Sequence, residues 1–351
     1  MTDLQTVRPT AKRSTQRQDG RGPDPLLSVV VLTLDEADNL EEAVSSLIDQ
    51  DGVPLEVLIV DGDSKDGTVG IAERLEAHNV GRVRLVTSEP LPIGPARNLG
   101  LSEARAPFIA FMSADATAAP GWAKAMVKAL EKADIVYGRQ EHTPPKTGVT
   151  AVVRGLRYHH FNDDTIAAPE TFASNVNAAI RREVFDLLTY VDEGPASALD
   201  DILFTHEAKE LGLRVAYQPS AVVRHKDATT LAGEYEKNRR EGYGWGILAP
   251  KLGTHRTVLA WGAGLLVGAG LLAARPGWWT GAVLAGVLWA PALRRVVRGG
   301  GPYLRRAPAS LAGAFVVSPL FDLAFLLAYV RGLSQRRPEL TGRIPPQGAR
   351  S

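Results

Sequence analysis

Through the first part of the chain, short apolar runs alternate with segments of helical spacing, and long uncharged apolar blocks fill the last part. From Leu26, LLSVVVLTL is a β-branched run that fits a strand buried on both faces. DEADNLEEAVSSLIDQ then changes to helical spacing, with Leu40, Val44, Leu47 and Ile48 on one face and Asp38 or Asn39 placed to cap it. LEVLIVDGDSKDGT predicts a strand over Val57–Val60 that breaks into an acid- and glycine-rich turn, followed by a helix over Thr68–His78 and a strand over Val83–Val86. PIGPARNLGLSEARAP reads as a loop and helix, and PFIAFMSADA as a buried strand that delivers one carboxylate, Asp115, at its end. Strand–helix alternation with short connections predicts an α/β, doubly wound, mostly parallel sheet whose site lies at the carboxyl ends of the strands.

Beyond this half, a helix between Lys124 and Val136 leads to a strand ending in YGRQEH. Residues 143–172 read as polar and irregular, with Tyr158, His159 and His160 among them. SNVNAAIRREVFDLL suggests a strand into a helix, and LDDILFTHEAKELGLRVAYQPSAVVRH a helix, a turn at Gly212 and a last strand. Glu234–Lys251 mixes Tyr235, Tyr243 and Trp245 with Lys237, Arg239 and Arg240, which suits a helix at a membrane interface and equally an ordinary surface helix.

Three apolar stretches follow. Thr257–Ala274 carries no charge, Trp278–Leu293 is slightly short for a span, and Ala309–Val330 is long enough but contains Pro319 and Asp322. Two or three membrane spans are expected. The basic loop RRVVRGGGPYLRR should face the cytoplasm. Three full spans would then put the basic tail outside, a conflict that a re-entrant or interfacial third segment broken at Pro319 would resolve. The expected organisation is a disordered tail over 1–25, which has no apolar block of the secretory-signal kind, a globular domain over 26–230, an interfacial amphipathic helix over 231–253, membrane segments over 254–332 and a second disordered tail over 333–351.

Charge sharpens this division. The formal net charge of +1 hides twelve arginines, no lysine and only Asp322 and Glu339 as acids from Gly253 onward, so the preceding part is acidic. An acidic globular part joined to an arginine-studded apolar part points to a membrane-tethered protein rather than a nucleic-acid binder. The absence of cysteine removes disulfides, zinc–thiolate sites and thiol nucleophiles.

In order and spacing, TLDEADNL, VDGDSKDGT, ARNLGLSEA, MSADA, LDDILFTHEAKELG and a histidine after the final strand resemble the family 2 glycosyltransferases, inverting enzymes of the GT-A fold. FMSADATAAPGW, YGRQ and SNVNAAIRREVF are most similar to the branch containing bacterial rhamnosyltransferases. The resemblance implies a nucleoside-diphosphate-sugar donor and Mg²⁺ or Mn²⁺ as cofactor. Asp61 would hydrogen-bond the donor's base or ribose, with Thr33 and Glu36 on the neighbouring turn; an Asx-turn fits Asp61 as well. Arg97 and Asn98 would reach the base or diphosphate, or cap their helix. Asp115 would bind the metal, and His225 would complete the metal or diphosphate site or be structural. The family's metal motif has an acid where this chain has Ser113, which puts tight metal dependence in doubt. Asp201 would be the catalytic base with Asp200 as its neighbour, Arg139 and Gln140 would meet the donor sugar, and Asp192 and Glu193 would lie near the acceptor mouth.

The function expected is a membrane-bound glycosyltransferase with a lipid-linked or growing glycan acceptor, multi-pass in the inner or plasma membrane, with its catalytic domain cytoplasmic. A polyprenyl-phosphate sugar synthase uses the same domain, and a non-catalytic membrane scaffold remains an alternative because of Ser113. A sugar-nucleotide pyrophosphorylase fits poorly, because TLDEADN has no glycine where its phosphate loop would need one.

Overall fold

Apolar runs bounded by acidic turns become strands here because both faces of the sheet are covered. The computed structural model describes residues 24–142, 148–158, 174–191, 199–226, 230–253, 255–335 and 338–344. The strands are β1 (Leu27–Thr33), β2 (Leu55–Asp61), β3 (Val83–Thr87), β4 (Phe108–Ser113), β5 (Ala116–Ala118), β6 (Ile135–His142), β7 (Asn177–Arg181) and β8 (Val215–His225). They form one mixed sheet in the order β3-β2-β1-β4-β7-β6-β8-β5. β3, β2, β1 and β4 run parallel, whereas the β4–β7, β6–β7 and β5–β8 pairs are antiparallel.

Alternate residues of the central strands enter two separate cores, as the period-two geometry of a strand requires. Val29, Val31, Val57, Ile59, Ala110 and Met112 face the layer of α1 (Leu40–Ile48), α2 (Thr68–His78) and α4 (Trp122–Leu130). Val30, Leu58, Val60, Ile109 and Phe111 face that of α3 (Ile93–Glu103) and α6 (Asp200–Glu210). Full burial of each such side chain contributes about 1.5–3 kcal/mol relative to exposure, which is why the runs tolerate few polar interruptions. Those present are satisfied: Ser28 donates to Glu56 Oε1 at 2.7 Å, and Glu56 also accepts from the Arg105 N–H and guanidinium at 2.8 Å.

The described residues fall into two compact units, one within Met1–Glu141, Asp164–Lys226 and Thr341–Ser351, the other within His142–Asp163 and Asp227–Leu340. The second differs from expectation. Inside the segment read as irregular, Val149–Tyr158 forms helix α5, whose Val152, Val153 and Leu156 pack against Leu311, Ala314 and Phe321. The sequence disguised it because Arg154 and Arg157 interrupt the apolar spacing. Arg154 is buried and paired with Glu234 at 2.5 Å, and Arg157 with Asp322 at 3.2 Å.

The remaining helices are α7 (Leu231–Ile247), α8 (Ala249–Leu252), α9 (Arg256–Ala274), α10 (Trp278–Gly299), α11 (Gly301–Arg306) and α12 (Pro308–Ser334). α9, α10 and α12 are each long and apolar enough to cross a membrane. Large apolar side chains point outward from them, with Leu266, Val297 and Leu327 at least 70% exposed. α12 continues unbroken through Pro319, so a break there does not resolve the topology conflict. α7 lies along α12. A Cβ on Gly246 would stand 2.2 Å from the carbonyl of Tyr329, so only glycine permits this close backbone approach. The final segment also differs from the expected tail: Thr341–Ile344 belongs to the first unit, where Arg343 forms an antiparallel bridge with Leu188.

Candidate active site

At one end of the sheet β1, β2 and β4 end, β7 begins and β8 ends, which brings Thr33, Asp61, Asp115 and His225 to that end. Thr33 and Asp61 close β1 and β2 and are register partners. Asp61 is fully buried. Its Oδ2 accepts from the hydroxyls of Thr33 at 2.9 Å and Ser64 at 2.6 Å, and its Oδ1 from the N–H groups of Asp63 and Ser64, both at 3.0 Å. This is an Asx-type turn that leads into Asp63 at φ 74°, a left-handed conformation that aspartate tolerates. Asp35, at φ 56°, binds the same loop from the other side: its N–H donates to Ser64 Oγ at 2.9 Å and its Oδ1 accepts from the Lys65 N–H at 2.7 Å. Asp61 therefore shapes the paired loops, and a direct contact with a ligand would compete with four bonds already made.

Glu36 ties the loop after β1 to the start of α2. Its N–H donates to Thr68 Oγ1 at 2.8 Å, and its carboxylate accepts from the Asn39 amide at 2.7 Å. Burial pushes its pKa up, and the negative charges of Asp115 and Asp66 add to the rise.

Asp115 and His225 meet, as their positions beside the β5–β8 pairing require. Asp115 Oδ1 accepts from the Ser113 hydroxyl and lies 3.1 Å from His225 Nε2. Burial alone would raise the pKa of Asp115. The hydrogen bond and charge of His225, with the Ser113 hydroxyl, outweigh it and hold the carboxyl below its usual range. One carboxylate and one imidazole are two donors, and among the described residues no group of three acidic or histidine side chains is placed to hold a metal. Such a pair suits a cation whose remaining ligands are phosphate oxygens and water, as Mg²⁺ and Mn²⁺ accept. The contact uses His225 Nε2, so it and ligation of a metal through that same nitrogen exclude one another.

A second carboxylate centre lies at the start of α6. Arg97 of α3 donates to Asp200 Oδ2, and both side chains are at least nine-tenths buried. Asp201 points elsewhere: its Oδ2 accepts from the Asn175 N–H at 3.2 Å and its Oδ1 from the Ile202 N–H at 2.9 Å. Asn175 precedes Asn177, which is the register partner of Met112, so this carboxylate stands at the same end of β4 that delivers Asp115. Burial raises the pKa of Asp201; the positive charge of Arg97 opposes this but does not cancel it. The acidic doublet is thus divided, one member paired with arginine and the other half-buried and held by two backbone N–H groups.

Asn98 does not reach outward. Its amide donates to the Tyr190 carbonyl at 2.7 Å, and its Oδ1 accepts from the Tyr190 N–H at 3.1 Å and the Thr189 hydroxyl at 2.9 Å. It fixes the chain just before Asp192 and Glu193, which lie outside the described residues. Arg139 and Gln140 are half-buried on β6, beyond Tyr137 and so toward the Asn175 end of β7.

Sequence reasoning missed the residues that tie these parts together. Asn177, fully buried in an apolar strand, accepts from the Trp122 indole at 2.8 Å and donates to the carbonyls of Arg139 at 2.8 Å and Ala221 at 2.9 Å. Its isolation among Val176, Ala178 and Ala179 was the available signal. Tyr190 stacks on Phe204 with ring centroids 4.6 Å apart and donates to Asn175 Oδ1 at 3.1 Å. Glu207 of α6, also fully buried, accepts from the Thr341 hydroxyl at 2.6 Å and the Gly342 N–H at 2.8 Å. A Cβ on Gly342 would lie 2.2 Å from the Thr189 carbonyl, so glycine is required where this strap passes.

The comparisons bear on the family and the fold. The family described as Glycosyl transferase family 2 matches residues 28–188, which span β1 to the end of the β7 region. Glycosyltransferase AglE of Haloferax volcanii is 25% identical over 209 residues, covering 57% of this chain and 67% of that protein. The O-antigen chain rhamnosyltransferase RfbN of Salmonella typhimurium is 28% identical over 197 residues, covering 52% of this chain and 61% of that protein. A mannosyltransferase from Pyrobaculum calidifontis, solved in complex with GDP-Man and Mn²⁺, shares the fold with a TM-score of 0.57 at 19% identity over 92% of each chain. Residues 28–188 thus form a glycosyltransferase family 2 domain of the GT-A fold, on a chain that continues into three helices long and apolar enough to cross a membrane.

Proposed function

We propose that this chain is a membrane-bound inverting glycosyltransferase that moves a sugar from a nucleoside-diphosphate donor to a lipid-linked or growing glycan acceptor. The observation that carries the reading is the division of the acidic doublet. Arg97 pairs with Asp200, while burial raises the pKa of Asp201, as a general base needs. Asp201 takes the proton from the acceptor hydroxyl as its oxygen forms the new bond to the anomeric carbon. The bond from that carbon to the diphosphate breaks on the opposite face, and the nucleoside diphosphate leaves. Inversion follows from that geometry.

The donor lies across the loops organised by Thr33, Glu36 and Asp61, with Arg139 and Gln140 toward its sugar and Asp192 and Glu193 toward the acceptor. Asp115 and a neutral His225 would hold Mg²⁺ or Mn²⁺, which when bound offsets the charge on the leaving diphosphate. The Pyrobaculum enzyme's complex with GDP-Man and Mn²⁺ supports that donor class and cofactor, and the Salmonella relative supports an acceptor that is a growing glycan. The exposed apolar faces of α9, α10 and α12 support membrane embedding, with the arginine-rich α10–α12 connection on the cytoplasmic side.

A thermal-shift panel of UDP-, dTDP- and GDP-sugars, with and without Mn²⁺, tests the donor class. Stabilisation by one base, enhanced by the metal, is expected; no response to any donor would support a non-catalytic scaffold instead.

A further inference from the structure

The second unit contains a cavity of about 630 Å³, none of whose lining residues has a role in the proposed transfer step. It opens where the first turns of α9 meet the last turns of α10, with α5 and α12 contributing side chains. Its apolar wall has a specific origin. Pro291, inside α10, has no N–H to give the carbonyl of Val287, so that carbonyl loses its helical partner. The Trp261 indole donates to it instead at 2.7 Å, which fixes the ring against α10 as one side of the cavity. Phe325 and Val258 add to the apolar lining.

The polar side is cationic. Asp322 accepts from Arg295 at 2.6 Å and from Arg157 at 3.2 Å, so one carboxylate stands between two guanidiniums. The Nε of Arg295 is buried and has no acceptor among the described residues. Arg294 also lines the cavity and forms no ion pair among the described residues. The other acid of the lining, Glu241, lies 4.0 Å from Lys237. With each carboxylate matched to one cation, two positive charges are left in excess. A buried guanidinium donor without an acceptor is costly, and the planar guanidinium matches the paired oxygens of phosphate as it does those of carboxylate. α10 also exposes Leu293 and Val297 beside these arginines, a surface suited to lipid chains.

We propose that this cavity binds a lipid whose headgroup is a phosphate monoester or diphosphate. The headgroup oxygens accept from Arg294 and Arg295, and the hydrocarbon leaves along the apolar wall formed by Trp261 and Phe325. The excess of two charges matches a dianionic monoester or a diphosphate and exceeds the single charge of a phosphodiester lipid. The headgroup chemistry is that of a lipid-linked acceptor, so the assignment deepens the transferase reading and rests on it, but binding itself needs neither sugar donor nor Asp201.

The test measures binding to the full chain in phosphatidylcholine nanodiscs, using polyprenyl phosphate, the uncharged polyprenol of the same length, phosphatidylglycerol and inorganic phosphate. Polyprenyl phosphate should bind saturably and at least about tenfold more tightly than the other three, the difference one charge-assisted hydrogen bond supplies. Arg294→Gln should weaken it about tenfold with the melting temperature unchanged, because Arg294 forms no ion pair among the described residues. Asp201→Asn should leave it unchanged, so a failure of the lipid site and a failure of the transferase assignment are read separately. Equal binding of the polyprenol or of phosphatidylglycerol would overturn the proposal, as would free phosphate binding as tightly as the lipid, or wild-type affinity in Arg294→Gln.

Discussion

Two carboxylate centres share one end of the sheet and are tuned in opposite directions. At the β4–β8 side, His225 and Ser113 hold Asp115 in its charged form, below the usual carboxylate range. At the start of α6, burial pushes Asp201 toward its neutral form although Arg97 is near, because that arginine is committed to Asp200. Two carboxyl groups in one site with pKa values driven apart is how a fold separates a charge-stabilising role from a proton-transfer role. In the proposed mechanism the partner of each acid, more than the acid itself, sets its task.

The strongest way to break this contrast is Asp201→Asn. Loss of the base should lower turnover by about 10²–10⁴-fold while donor binding is kept. Stability should hold or rise. A carboxyl with a raised pKa in the folded state is a net cost once the pH passes its unfolded value, and asparagine removes that cost. Circular dichroism melting beside a transfer assay reads both effects. Next comes Arg97→Leu, which strands the buried Asp200 charge and should cost about 3–5 kcal/mol in denaturant unfolding. Arg97→Leu combined with Asp200→Asn should recover much of that loss.

His225→Ala should have a smaller, pH-dependent effect. Asp115 has a lowered pKa, so its contribution to stability is present above the unfolded carboxyl value and is lost as pH falls through the folded one. Without His225 that loss should begin at a higher pH, with a change of about 1.5–3 kcal/mol expected for a hydrogen bond to a charged group. The smallest effect belongs to Glu207→Gln, which keeps the side chain's shape but weakens its hold on Thr341 and Gly342. About 1 kcal/mol is expected, seen as faster amide exchange at Gly342 with turnover little changed.

Much of the first half was legible because its physics is local. Continuous apolar strands, acidic turns and one-faced helices place Asp61 and Asp115 at strand ends without knowledge of any partner. The contacts that assign roles were not legible, because they join residues distant in sequence: Arg97 to Asp200, Asn98 to Tyr190, and Glu207 to Thr341. Helix α5 was hidden for the same reason. Arg154 and Arg157 look like solvated positions until Glu234 and Asp322 are brought to them. The divided acidic doublet is the clearest case, since Asp200 and Asp201 are adjacent and chemically identical. The family resemblance singles out Asp201 as the base; the physical distinction comes from the direction in which each side chain leaves the first turn of α6.

The most direct test of that division is the pH dependence of kcat/KM for sugar transfer in the wild type and in Asp200→Asn and Asp201→Asn. The wild-type rate should rise through a single ionisation above the ordinary aspartate value of 3.8, and the residual rate of Asp201→Asn should lack that limb while Asp200→Asn retains it. A full rate with the limb intact in Asp201→Asn, or loss of the limb only in Asp200→Asn, would contradict the assignment.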